Sequence, residues 1–388
     1  MRRAARPLPL VLALAPALAP APPAAHAQEL PAAEATCALP AHAAAADLPA
    51  PDPQLAQLRR FATGAGVRVA VIDTGVAPNP ELRRLTPGID LVNPEAPDPF
   101  FDCDSHGTVV AGVIAGATRG VAPDAEILSI RQTSMHTRQP GAQGGTGSLQ
   151  TLADAIHFAL DQRARVINVS VVSCLPPQLA GRVDMGAIRA ALARAEAEGA
   201  LVVAAAGNAS ESCEPGYTVV PAHEPTVLAV AARDGDHNIA AYSLPVPGPS
   251  VSAPGLVEAA LASNGSGWAS GTAGATGRED HKNTVQPYVG TSFAAPAISG
   301  AAALLIQRYP HLSPAQLRTL IHAAAQPGGA AVEPLAAVEQ LPPAAIAPRQ
   351  LAVGTEPARE SAAPARWLRL AAGLALLAAC GAFASRRP

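Results

Sequence analysis

Short apolar runs of strand length alternate along this chain with segments whose apolar positions recur every three or four residues. The runs are Arg68 to Ile72, Glu126 to Ile130, Arg165 to Ser170, Leu201 to Ala206 and Val227 to Ala231. Most positions in them are apolar on both sides of the alternation, the pattern of strands buried on two faces. The intervening segments read as helices. Leu149, Leu152, Ile156 and Leu160 follow Ser148, a residue suited to cap a helix, and Ile188 to Ala197 fill a second. A third begins at Ser313-Pro314-Ala315-Gln316, where Ser313 caps, Pro314 takes the first turn and Gln316 completes a capping box. This order predicts an α/β fold, a mainly parallel sheet between two layers of helices, with a core from about 67 to 325.

The flanks have another character. Residues 1–27 combine arginines at positions 2, 3 and 6 with an apolar run to Leu18 and the small-residue site Ala25-His26-Ala27, which predicts a secretory signal peptide. An Ala/Pro-rich extension, residues 28–66, leads into the core. After it, residues 326–366 form a Pro/Ala-rich linker, and two Gly/Ser/Pro-rich stretches inside the core, Gln132 to Gly147 and Leu244 to Gln286, read as surface loops. Residues 367–388 predict a transmembrane helix and a short cytoplasmic tail. From Trp367 to Ala384 the one charge is Arg369, near an end from which it can snorkel, and Arg386 and Arg387 follow. Leu370 to Ala384 covers about 22 Å of a layer about 30 Å thick, so the span must use its flanks or thin the bilayer.

Composition changes little in this picture. With 388 residues, 49% hydrophobic, the chain can bury one large core, and a net charge of -3 gives no reason to expect nucleic acid as a partner. Cysteines matter more. Cys37, Cys103, Cys174 and Cys213 fall in the part expected outside the cytoplasm, an even number that suits disulfides, while Cys380 lies in the predicted membrane helix. Four cysteines allow three pairings. None has the close spacing of a zinc site, and no acidic loop has the ligand spacing that would assign a structural calcium; neither metal nor organic cofactor is expected in the chemistry.

Three segments carry chemistry: Val71-Ile72-Asp73-Thr74-Gly75, Asp104-Ser105-His106-Gly107-Thr108, and Gly290-Thr291-Ser292 leading to Pro296. Taken singly each has a plain structural reading. Asp73 can bond the tight turn at Gly75, His106 can sit exposed at a helix start, and Ser292 can be a simple N-cap. Together they give Asp, His and Ser in one of the chain orders known for the hydrolytic triad. Asp73 at a strand end can accept the Nδ1 hydrogen of His106, whose Nε2 then faces the nucleophile. Ser292 opens an apolar helix whose N-terminal N–H groups favour a developing oxyanion. An aspartic protease needs a second such carboxylate, and no other Asp-Thr-Gly or Asp-Ser-Gly occurs. The nucleophile elbow of lipases is excluded too, because Gly-Thr-Ser-Phe-Ala lacks its last glycine.

On these motifs the region from about 67 to 325 resembles the subtilase (S8) serine proteases. The resemblance implies a subtilisin-like fold and an acyl-enzyme on Ser292. It further implies that Asn208, in Val202-Val203-Ala204-Ala205-Ala206-Gly207-Asn208, donates its side-chain amide to the oxyanion. The fold it implies places Ser170, Val172, Ala205 and Gly207 at the substrate's P1 pocket. Val172 stands where many subtilases have glycine, which would narrow that pocket and favour small P1 residues. It also brings the loops of Cys174 and Cys213 together, leaving Cys37 to pair with Cys103 beside His106. The whole architecture, from signal to membrane helix, is similar to the mycosins, membrane-anchored subtilases of type VII secretion. That similarity implies protein or peptide substrates, membrane components of such a system as partners, and a catalytic domain on the extracytoplasmic side. A role as a structural or gating subunit, independent of proteolysis, is the alternative it leaves. Residues 28–66 are too few for a folded inhibitory pro-domain, and a disulfide would retain them.

Overall fold

A computed structural model describes residues 37–136, 147–273, 285–342 and 363–384. The proposed signal peptide, most of the 132–147 loop and residues 343–362 of the linker lie outside them. The chain divides into two units, Met1–Leu341 and Pro342–Pro388.

In the first unit the N-terminal extension supplies strand β1 (Leu39–Ala43) and helix α1 (Gln54–Phe61). Seven strands then build one sheet: β2 (Arg68–Asp73), β3 (Leu85–Asp90), β4 (Glu126–Arg131), β5 (Val166–Val169), β7 (Leu201–Ala205), β9 (Leu228–Arg233) and β10 (Val251–Pro254). Their order is β10-β9-β7-β5-β2-β4-β3, and every pairing is parallel. All five apolar runs are strands of this sheet.

Strand alternation divides the core. Val69 and Val71 of β2 point into one apolar cluster with helices α2 (Gly107–Ala115) and α6 (Thr291–Arg308). Ala70 and Ile72 point into the other, with α3 (Leu149–Asp161) and α5 (Gly186–Glu198). Residues one apart face opposite ways in a strand, so a sheet covered on both sides must be apolar at every position. Ser148 caps α3 by accepting from the Thr151 N–H, and the capping box of Ser313 and Gln316 opens α7 (Pro314–Ala323), both as the sequence predicts.

Several elements were not legible. The stretch from Leu244 to Gln286, expected to be loop, contains β10, β11 (Leu256–Val257), β12 (Ala260–Leu261), β13 (Trp268–Ala273) and the start of β14 (Val285–Val289). Four of these join β1 in a second, antiparallel sheet. They are two to six residues long, too short to show a period, and β11 and β13 pair with segments far along the chain. Strand β3 was missed because Pro87 interrupts it; as the sheet's edge it tolerates the missing donor, with a register shift beside it. The short elements β6 (Ser173–Leu175), β8 (Thr218–Val220) and α4 (Pro177–Ala180) complete this part, β6 and β8 pairing antiparallel. Beyond residue 325, where the sequence pattern ends the core, α8 (Pro334–Glu339) still buries Ala337 and Val338 against it.

In the second unit α9 (Ala363–Ala384) is a 22-residue helix. Its described apolar side chains, Trp367, Leu370, Leu374 and Leu377 among them, are exposed. Among the described residues no helix is long and apolar enough to cross a membrane by itself.

Candidate active site

Asp73 closes β2 with its side chain fully buried, and His106 is the N-cap of α2. The fold brings them together: His106 Nδ1 lies 2.6 Å from Asp73 Oδ1, which also accepts the Thr74 N–H at 2.8 Å. That approach needs Gly107. A Cβ there would sit 2.0 Å from the Gly75 carbonyl oxygen, so the turn after Asp73 closes onto α2 only over a glycine. The Phe293 ring packs against the imidazole with centroids 5.0 Å apart. Burial pulls the His106 pKa down, but the charge and hydrogen bond of Asp73, helped by the charges of Asp102 and Asp104, more than offset it. The net shift is upward from 6.5.

Ser292 is the second residue of α6 and lines, with His106, a cavity of about 340 Å³. Its carbonyl is unusual. An α-helix would bond it to the N–H four residues on, but that residue is Pro296, which has none. The Ser170 hydroxyl donates to it instead, at 2.9 Å. Ser170 in turn accepts from Asn168 Nδ2 at 2.8 Å, and Asn168 Oδ1 accepts from Ser299 Oγ at 2.8 Å. The nucleophile's backbone is thus tied to the end of β5 by a chain of side-chain bonds, buried at Asn168 and Ser299.

Asn208 follows β7 and meets the start of the same helix. Its Oδ1 accepts both the Thr291 N–H and the Thr291 hydroxyl at 3.0 Å. The backbone N–H can only donate, so it fixes which end of the amide is oxygen and leaves Nδ2 as the free donor. Gly290 permits this contact, since a Cβ there would lie 2.9 Å from Asn208 Nδ2.

Of the expected substrate-binding residues, Ser170 and Val172 line the cavity, along with Val171 and Ser173. Ala205 and Gly207 do not: Ala205 is buried in the core, and Gly207 donates its N–H to Thr291 Oγ1. Sequence reasoning did not single out Thr74, Asp104, Gln132, Thr133 and Met135, which also line it. Only Thr74 and Asp104 lie within a motif; the others arrive through the end of β4. Among the described residues, none of the extension borders this cavity.

Cys37 and Cys103 form a disulfide, as do Cys174 and Cys213, the pairing implied by the resemblance. The first anchors the extension three residues before His106. Among the described residues no group of three or more His, Cys, Asp or Glu side chains is placed to hold a metal ion.

Comparison with known proteins places the fold in a family. The model of the subtilase family matches residues 64–347. Mycosin-4 of Mycobacterium tuberculosis is 38% identical over 304 residues, 72% of this chain but 64% of the relative's length. The crystal structure of MycP1 from the ESX-1 type VII secretion system superposes with a TM-score of 0.70 at 32% identity, covering 79% of this chain and 90% of that one. A chain in the structure of an intact ESX-5 inner membrane complex matches with a TM-score of 0.69 at 29% identity, over 90% of this chain and 93% of its own.

Proposed function

This chain belongs to the subtilase family, and from that premise we propose that it is a membrane-anchored serine endopeptidase serving a type VII secretion system. The observation that carries the proposal is the 2.6 Å contact of Asp73 with His106 in the cavity that Ser292 lines.

The reaction follows from these positions. Asp73 holds His106 in the tautomer with its proton on Nδ1, so Nε2 accepts the Ser292 proton as Oγ attacks the scissile carbonyl. The imidazolium that forms is stabilised by the buried Asp73 carboxylate. Oxyanion charge is met by the free amide of Asn208 and the N–H of Ser292. His106 then protonates the leaving amine, and water activated by the same imidazole releases the acyl group.

The location is argued from the flanks. Residues 1–27 act as the export signal, so the catalytic unit is extracytoplasmic, where both disulfides form. The apolar part of α9, Leu370 to Ala384, covers about 22 Å at 1.5 Å per residue, so it reaches across a bilayer by using its flanks or thinning the layer. It serves as the anchor, with Trp367 and Arg369 at one interface and Arg386 and Arg387 at the other. The extension stays attached through Cys37, and none of its described residues lines the cavity of Ser292.

A second reading, a structural subunit of the secretion complex, is favoured by the match to a chain of the ESX-5 inner membrane complex. The test is a fluorophosphonate probe applied to the full chain in detergent, read by intact mass beside Ser292→Ala. One adduct that depends on Ser292 supports the endopeptidase; no adduct on folded, disulfide-bonded protein transfers the weight to the structural role.

A further inference from the structure

Asp102 lies four residues before His106 and takes no part in the proton transfers above. It is 7% exposed, yet its carboxylate collects four hydrogen bonds. Oδ1 accepts from Thr74 Oγ1 at 2.8 Å and from the His106 N–H at 3.3 Å. Oδ2 accepts from the Thr108 N–H at 2.8 Å and from Thr108 Oγ1 at 2.6 Å.

What else the two hydroxyls do fixes their direction. Thr108 Oγ1 accepts the Ala77 N–H at 2.9 Å, and Thr74 Oγ1 accepts the Gly107 N–H at 3.1 Å. Thr108 Oγ1 gives its one proton to Asp102, and Thr74 Oγ1 shares its proton between Asp102 Oδ1 at 2.8 Å and, more weakly, Asp73 Oδ1 at 3.3 Å. The carboxylate therefore faces donors only, the surroundings of an ionised acid. These bonds also run between two segments. One is the turn from Asp73 to Ala77; the other is the start of α2 from His106 to Thr108. The same two segments carry the acid and the base of the proposed triad.

We propose that Asp102 is a positioning residue of the hydrolytic site, an ionised hub that locks the Asp73 turn to the His106 helix. The inference rests on the endopeptidase reading given above. It has an electrostatic side as well. His106 faces Asp73 from β2 and Asp102 and Asp104 from the loop before α2, while α6 presents the uncharged Ser292 and Phe293. Tyr288 of β14 faces Asp102, its hydroxyl bonded to Ser105, and Arg131 of β4 is paired with Asp90. Burial pushes Asp102 up from the ordinary aspartate value, and the bonds from Thr108 and Thr74 pull it back only in part. Its negative charge favours the imidazolium form of His106.

The experiment compares wild type, Asp102→Asn and Thr108→Val as full chains in detergent. Fluorophosphonate labelling rates are measured across pH, with the His106 titration followed by NMR of 15N-histidine-labelled protein. Asparagine keeps the shape of Asp102 but removes the charge and turns one oxygen into a donor facing donors. Labelling should slow about 10- to 100-fold, the scale of a small misplacement of reacting groups. The acid limb and the His106 titration should both move to lower pH, because losing a nearby negative charge disfavours the imidazolium. Thr108→Val keeps the charge, so it should slow labelling without moving the limb.

Asp102→Asn with a wild-type labelling rate and an unmoved His106 titration, even at a lower melting temperature, would overturn the proposal. If wild-type protein does not label at all, the endopeptidase reading fails, and the His106 titration alone decides: no shift in Asp102→Asn sinks the hub. If Asp102→Asn does not fold, Thr108→Val labelling at the wild-type rate sinks it equally.

Discussion

Ser292 keeps a carbonyl that its own helix cannot bond, and the cost of that arrangement falls on Ser170. Ser170→Ala should leave the half-buried carbonyl without its partner and lower stability by about 1 kcal/mol, measured by denaturant unfolding. It should also slow probe labelling, since the bond fixes where the nucleophile sits. Asn208→Ala removes the amide that Thr291 orients, and kcat should fall about 10²- to 10³-fold with little change in KM. The raised pKa of His106 gives a pH prediction. The base must be neutral to accept the Ser292 proton, so the acid limb of kcat/KM should lie above the ordinary histidine value of 6.5, with activity lost as pH falls through it. A limb below that value would contradict the acidic surroundings described. Asp73, His106 and Ser292 were legible because their motifs carry their own spacing. The amide direction of Asn208 and the role of Asp102 were not, because Thr291, Thr74 and Ala77 reach them only through the fold.

Elements were legible where burial leaves a local pattern. The five central strands show it, because two covered faces force apolar residues at every position. Strands β11 to β14 do not, and neither does β1: β12 and β11 have only two residues each, and β1 and β11 pair with segments far away in the chain. At the end of β5 the two scales meet. Val172 lines the cavity and packs against both apolar clusters, so its two methyls occupy space that a large substrate side chain would need. Val172→Gly should shift cleavage of a peptide library toward larger P1 residues, by about tenfold or more in relative kcat/KM. A wild-type profile already dominated by Phe or Leu would show that Val172 does not set the limit.

Across the whole molecule the extension is part of the enzyme's frame. Its strand β1 pairs with β13, Leu58 of α1 is buried in the core, and Cys37 holds Cys103. The Cys37–Cys103 bridge spans 66 residues, so replacing Cys37 with serine should cost about 4 kcal/mol in the chain-entropy model, read as a lower unfolding midpoint. Removal of residues 367–388 should release the protein from membranes in alkaline carbonate, which retains the full chain. The pairing of β1 with β13 has a further consequence, for the order in which the molecule is made. Leu39 finds its partner at Ala273, and β14, which follows β13 in the sheet, runs straight into Gly290 and Ser292. Contacts of such long sequence separation close late in folding, after most of the chain has left the ribosome. With the export proposed above, a nascent chain still in the reducing cytoplasm would lack both the bridge beside His106 and the completed sheet beside Ser292, and so an assembled site, until synthesis and export are over.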